Sequence, residues 1–140
     1  MMRCVIDASV AASAFFREET SLMARALLTS GCEMFAPDLI YPEVGNVIWK
    51  RQRRNEIDEE EACALLSDVL VLPLNITPSS QLVESALKLA LRTNRTVYDC
   101  LYLALAVQSK SIMVTGDKRF VNALADTPLE KYVSWIGHIR

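Results

Sequence analysis

The chain has 140 residues, of which 51% are apolar, enough for one domain with a full core and too few for two of ordinary size. Net charge is −2 and the pI is about 5.4, so there is no bulk electrostatic pull toward nucleic acid, and affinity for a polyanion must come from local patches. No apolar run approaches the ~20 residues that span a bilayer. The first sixteen residues imitate a secretory leader only until Asp7, whose charge interrupts the stretch. The expectation is a cytoplasmic protein without a membrane segment.

Residues 3–6 form a short apolar run that ends in Asp7, which predicts a buried strand. Residues 8–16 and 20–30 read as helices, the second closed by Gly31. A second strand over 33–36 stops at Pro37, and a long helix over 38–53 follows. Its apolar face carries Leu39, Val44, Val47 and Ile48, widened by Ile40 and Trp49. Asp58 caps a helix over 58–71 whose first turn is acidic. A third strand is expected over 74–77. Ser79 or Ser80 then caps a helix running to Arg92.

Residues 98–109 are apolar nearly all round after Asp99, which predicts a buried helix. A fourth strand over 112–115, a last helix over 117–125 and an edge strand over 133–136 complete the chain. Alternation of this kind implies an α/β fold with a mostly parallel sheet covered on both faces. Ligands of such sheets bind beyond the carboxyl ends of the strands. Asp7 and Asp117 both fall there.

Two more acids stand out. Asp99 precedes the apolar helix, where a charge is costly unless paired or bound to a cation; it can also serve as a helix N-cap. Glu43 lies in the first turns of the long helix, with Asn46 one turn later; an amphipathic helix can equally turn it to solvent. Asp117 and Ser9 have the same capping alternative, while Thr115 lies two residues before Asp117 on the same strand face.

The acids matter as a set if they converge. Two carboxylates about 5 Å apart repel by roughly 3 kcal/mol at an effective dielectric near 20. Four acids make six pairs, which rivals the ~5–15 kcal/mol stability of a domain. Convergence therefore requires raised pKa values or a cation. Oxygen-only ligands select a hard ion, Mg²⁺ or Mn²⁺, and such a site suits phosphoryl chemistry. The chain has one histidine, His138 near its end, and no G-x-S-x-G, Walker A or dinucleotide-binding pattern. Its four cysteines, Cys4, Cys32, Cys63 and Cys100, lack metal-clip spacing and are expected as reduced core thiols.

The segments Val5-Ile6-Asp7-Ala8-Ser9, Pro42-Glu43-Val44-Gly45-Asn46, Tyr98-Asp99-Cys100-Leu101-Tyr102 and Val114-Thr115-Gly116-Asp117-Lys118 resemble, in order and spacing, the four motifs of PIN-domain nucleases. The likeness is closest to VapC-type toxins of prokaryotic toxin–antitoxin pairs and covers the chain as a single domain, 1–140. It implies a PIN-like α/β/α sandwich. It also implies that Asp7, Glu43, Asp99 and Asp117 share one pocket and bind Mg²⁺ or Mn²⁺. Thr115 matches a supporting hydroxyl, and Ser9 and Asn46 match secondary polar positions.

The implied activity is endoribonucleolytic hydrolysis of tRNA, rRNA or mRNA by a metal-activated water. The implied partners are a cognate antitoxin and a second copy in a homodimer. The alternatives are a non-catalytic PIN-like interaction module, a PIN nuclease of RNA processing, and a phosphatase or phosphoreceiver of another α/β fold. No second acid follows Asp7 by two residues, which weighs against the phosphatase.

Lys50, Arg51, Arg53 and Arg54 crowd the end of the Glu43 helix. They read either as a phosphate track leading to the site or as helix-dipole compensation, and the second is preferred, since acids follow directly. Arg92, Arg95, Lys118 and Arg119 flank Asp99 and Asp117 and are the candidates for RNA contact. Tyr41 and Trp49 are expected either in the core or at an oligomer contact.

Overall fold

The computed structural model describes residues 2–138. Five strands, β1 (Arg3–Ile6), β2 (Glu33–Pro37), β3 (Leu74–Thr77), β4 (Ile112–Thr115) and β5 (Val133–Trp135), form one sheet in the order β3-β2-β1-β4-β5. Every pairing is parallel, so the expected mostly parallel sheet is parallel throughout the described residues. The chain lays β2 and β3 on one side of β1, then crosses to lay β4 and β5 on the other. The switch point thus lies between β1 and β4, where ligands of open α/β sheets bind. Val5 is flanked by Phe35 and Met113, which sets the register of the three central strands.

Among the described residues, seven α-helices accompany the sheet: α1 (Ala8–Ser13), α2 (Ser21–Leu28), α3 (Ile40–Arg53), α4 (Glu59–Leu70), α5 (Val83–Thr93), α6 (Val97–Ser109) and α7 (Lys118–Leu124). Cys4, Val5 and Ile6 of β1 and Met113, Val114 and Thr115 of β4 are buried, so both sheet faces are covered. This is the α/β/α sandwich. Helix α6 lies on β1, β2 and β4 with α5 beside it, and every residue from Cys100 to Ala106 is buried, as its apolar run requires. Among the described residues no helix is long and apolar enough to cross a membrane.

Several boundaries differ from the sequence expectation for local reasons. Helix α1 ends at Ser13, short of residue 16. The carbonyls of Ala14 and Phe16 accept instead from Arg25, and that of Phe16 also from Ser21, which turns the chain into α2. Neither Ser79 nor Ser80 caps α5. Residues 79–81 make a 3₁₀ turn, and the Ser79 amide and hydroxyl both donate to Asp38. That bond also takes Asp38 out of α3, which starts at Ile40. Asp58 caps α4 as expected, in a reciprocal box with Glu61. Cys4 and Cys100 are buried, but Cys63 is exposed on α4 and is no core thiol.

Candidate active site at the carboxyl end of the sheet

The ends of β1 and β4 are tied together by a chain of hydrogen bonds. Asp7 leaves β1 and N-caps α1, its Oδ1 accepting from the Val10 amide at 3.2 Å. The Ser9 hydroxyl donates to the same oxygen at 2.5 Å and accepts from the Gly116 amide at 2.9 Å. Ser9 is therefore no cap; it links Asp7 to the loop after β4. Thr115 Oγ1 donates to Asp7 Oδ2 at 2.6 Å and accepts from the Asp117 amide at 3.1 Å. Asp117 caps α7, accepting from the Arg119 and Phe120 amides at 2.9 and 3.2 Å.

The other two acids come from helices and cap nothing. Thr96 is the N-cap of α6, with its hydroxyl accepting from the Asp99 amide at 3.1 Å, so the capping alternative for Asp99 is wrong. Asp99 is the third residue of α6, half-buried at its mouth. Glu43, in the first turn of α3, accepts from the Tyr102 hydroxyl at 2.5 Å. Tyr102 follows Asp99 by three residues and so projects from nearly the same face of α6.

All four acids line one pocket of about 460 Å³, together with Ser9, Asn46, Lys50, Tyr98 and Tyr102. Burial pushes the Asp7 carboxyl up to about 6, against the hydrogen bonds of Ser9, Thr115 and Val10, with the Glu43 charge adding a further upward push. Burial and the Asp99 charge raise Glu43, while the Tyr102 hydrogen bond lowers it. Burial and the Asp117 charge raise Asp99, opposed by the Thr96 hydrogen bond and by Arg95. Asp7 thus feels the charge of Glu43, Glu43 that of Asp99, and Asp99 that of Asp117.

The acids are neighbours without forming a finished cage: among the described residues no three acidic, histidine or cysteine side chains are gathered closely enough to hold an ion. Asp7, Glu43 and Asp117 each have hydrogen-bond donors of their own. In kind the donor set fits a hard divalent cation, being oxygen throughout. The raised pKa values of Asp7, Glu43 and Asp99 come first from burial and second from the neighbouring acid.

Among the basic candidates, Lys118 and Arg119 line a second cleft beside Asp117. Arg95 is near enough to lower Asp99 but, like the exposed Arg92, does not line the pocket. Lys50, read from the sequence as dipole compensation, does line it. Its signal was periodicity, since Glu43, Asn46, Val47 and Lys50 share one face of α3. Tyr102 was hidden among the apolar residues of its helix. Trp49 is exposed, beside a groove between α3 and α4, and Tyr41 is partly buried.

Residues 4–124 match the family model described as PIN domain. The chain belongs to the PIN-domain family. The PIN chain is 32% identical to Ribonuclease VapC3 of Pyrobaculum aerophilum over 120 residues, 84% of this chain and 92% of that one. The crystal structure of PAE2754 from Pyrobaculum aerophilum covers 97% of this chain and 85% of its own at a TM-score of 0.72 with 21% identity. A toxin–antitoxin complex from Klebsiella pneumoniae matches over 97% of this chain and 99% of its own, with a TM-score of 0.63 and 17% identity. At those identities the two structures bear on the fold, which is that of this PIN domain.

Proposed function

We propose that this PIN domain is a Mg²⁺- or Mn²⁺-dependent endoribonuclease and the toxin of a toxin–antitoxin pair, working in the cytoplasm. The observation that carries the reading is the meeting of Asp7, Glu43, Asp99 and Asp117 in one pocket at the switch point of the sheet. Similarity to Ribonuclease VapC3 supports RNA as the substrate. Likeness to the Klebsiella pneumoniae complex supports a cognate antitoxin as the partner. A self-association face is available on α5, where Val83, Leu87 and Leu91 are exposed at helical spacing, and this supports a homodimer.

Asp7, Glu43, Asp99 and Asp117 would hold the ion, directly or through water. A bound divalent cation supplies neutralising charge and acidifies water at the scissile phosphate. Asp7 is fixed for this role on both oxygens by Ser9 and Thr115. Tyr102 fixes one oxygen of Glu43 and leaves the other free to orient the attacking water. Lys50, at the pocket wall, neutralises a neighbouring phosphate of the substrate.

A non-catalytic module in which the acids only cap helices is the competing reading. The caps of Asp7 and Asp117 favour it for those two. Glu43 and Asp99 speak for the nuclease, since neither caps a helix and both stand half-buried with raised pKa values.

The deciding experiment is cleavage of total cellular RNA with and without Mg²⁺ or Mn²⁺ by wild type, Asp7→Asn and Asp99→Asn. Metal-dependent cutting lost in both folded variants is expected. Equal cutting by wild type and variants would sink the assignment.

A further inference from the structure

A second cleft, of about 620 Å³, adjoins the acidic pocket and shares Asp117 with it. Its lining comes from two segments, Gly116, Lys118, Arg119 and Trp135 near the end of the sheet and Glu18, Glu19 and Thr20 before α2. That volume lies within the ~300–1,000 Å³ typical of ligand sites. Asp117 is thus the residue at which the two clefts meet.

We infer that the cleft is a nucleotide subsite, in which a base flanking the scissile phosphate of single-stranded RNA stacks on Trp135 while Lys118 and Arg119 hold the adjoining phosphates. The inference rests on the ribonuclease reading of the acidic pocket. Trp135 ends β5 and lies opposite Thr115 in register, at the same end of the sheet as the acids. Its indole is only partly buried, and the Lys118 ammonium stands 4.0 Å from the ring centroid. That face of the ring therefore lies under a flexible charged side chain. A flat base uses such a face without regard to sequence, and the flexible Lys118 side chain can move from the ring to a phosphate.

The ring is also held in place. A Cβ on Gly137 would come within 1.9 Å of Trp135 Cζ3, so that glycine packs directly on the indole. The His138 ring meets it edge-on, with centroids 5.2 Å apart. The acidic segment of the lining sets the direction of the nucleotide. Glu18 is bound by Arg51, and Glu19 is exposed. Carboxylates repel phosphate, so the phosphates lie along Lys118 and Arg119 and the base edge turns toward the acceptors of Glu18, Glu19 and Thr20. An acidic chain thus keeps its paired cations and accessible aromatic face next to the reacting centre.

The chain has two tryptophans, so Trp49→Phe leaves Trp135 as the sole indole emitter. In an Asp99→Asn, Trp49→Phe background with Mg²⁺, unlabelled mixed-sequence RNA decamers are titrated while Trp135 emission is read. Fluorescein-labelled decamers report binding by anisotropy in parallel. Quenching that saturates with the anisotropy is expected. Trp135→Ala should weaken binding about 10–100-fold, whereas Trp135→Phe should keep most of it. If anisotropy rises while Trp135 emission stays constant, and Trp135→Phe and Trp135→Ala bind as the parent does, the subsite is wrong and the ribonuclease reading stands. If no RNA raises the anisotropy, both fail together.

Discussion

Thr115 Oγ1 donates to Asp7 Oδ2 at 2.6 Å and accepts from the Asp117 amide, so one buried hydroxyl sets the positions of two acids from two strands. Thr115→Val keeps the volume and removes both bonds. Loss of a group that orients a metal ligand costs about 10–100-fold in metal affinity or activity. The expected result is a higher Mg²⁺ requirement and slower RNA cleavage within that range, with Thr115→Ser near wild type. A Mg²⁺ titration of cleavage rate checks it; a Val variant with unchanged half-saturation would show that Thr115 only fills space.

The bond from Tyr102 to Glu43 makes a separate case. Tyr102 is buried and its hydroxyl has Glu43 as its partner. Tyr102→Phe removes a hydrogen bond to a half-buried carboxylate and should destabilise the fold by about 1–2 kcal/mol at pH 7, read by urea unfolding. Glu43 then loses the one hydrogen bond that favours its charged form, so its pKa rises further. As pH is lowered, cleavage should begin to fall at a higher pH than in wild type. Coincident acid limbs would count against Glu43 as the group that Tyr102 controls.

These two bonds also show where the sequence stops being informative. The strands before Asp7 and Asp117, the buried α6 and the Asp58 cap are local patterns, legible from runs of a few residues. Thr96 as the cap of α6 was legible too, since Thr96-Val97-Tyr98-Asp99 has the spacing of a capping motif, but the cost of placing a charge before an apolar helix drew the attention to Asp99. Ser79 could not be read locally: the Asp38 carboxylate that takes its hydroxyl is 41 residues away. Nor could Tyr102, 59 residues from Glu43. A side chain whose role depends on a distant partner looks from the sequence like whatever its neighbours are, here one more apolar residue on a buried helix. The four acids stood out by their places at strand ends and helix starts, but only the likeness to PIN-domain nucleases implied that they share a pocket; Lys50 was set aside because its charge had a sufficient local explanation.

Asp7 gives a prediction about stability in the absence of metal. Its folded pKa, about 6, lies above the 3.8 of an unperturbed aspartate. The unfolded chain therefore gives up its proton first as pH rises, and the fold loses stability between about pH 4 and pH 6 and does not regain it above. Glu43 and Asp99 are raised as well and act in the same direction. Asp7→Asn removes the charge and retains a competent N-cap. In EDTA at pH 7.5 the variant should be more stable than wild type by about 1–3 kcal/mol, and at pH 4 the difference should vanish. Saturating Mg²⁺ should stabilise wild type more than the variant. Urea melts at the two pH values, with and without Mg²⁺, carry the test; a variant less stable in EDTA at pH 7.5 would mean that the bonds of Ser9 and Thr115 outweigh the burial of the charge.

Gly137 offers a test of the cleft that touches no catalytic group. Added volume there must displace the Trp135 indole, because Cζ3, Cη2 and Cε3 would all lie within 2.4 Å of the new Cβ. Overpacking of this kind costs about 1–3 kcal/mol, so Gly137→Ala should lower the urea midpoint. In the Trp49→Phe background the displaced indole should also shift its emission, with the acidic pocket left intact. Mg²⁺ should then still stabilise the protein as it does wild type, while single-stranded RNA should bind as weakly as it does to Trp135→Ala. Tight RNA binding by a Gly137→Ala protein whose emission has shifted would separate the indole from the substrate path and leave Lys118 and Arg119 to act through charge alone.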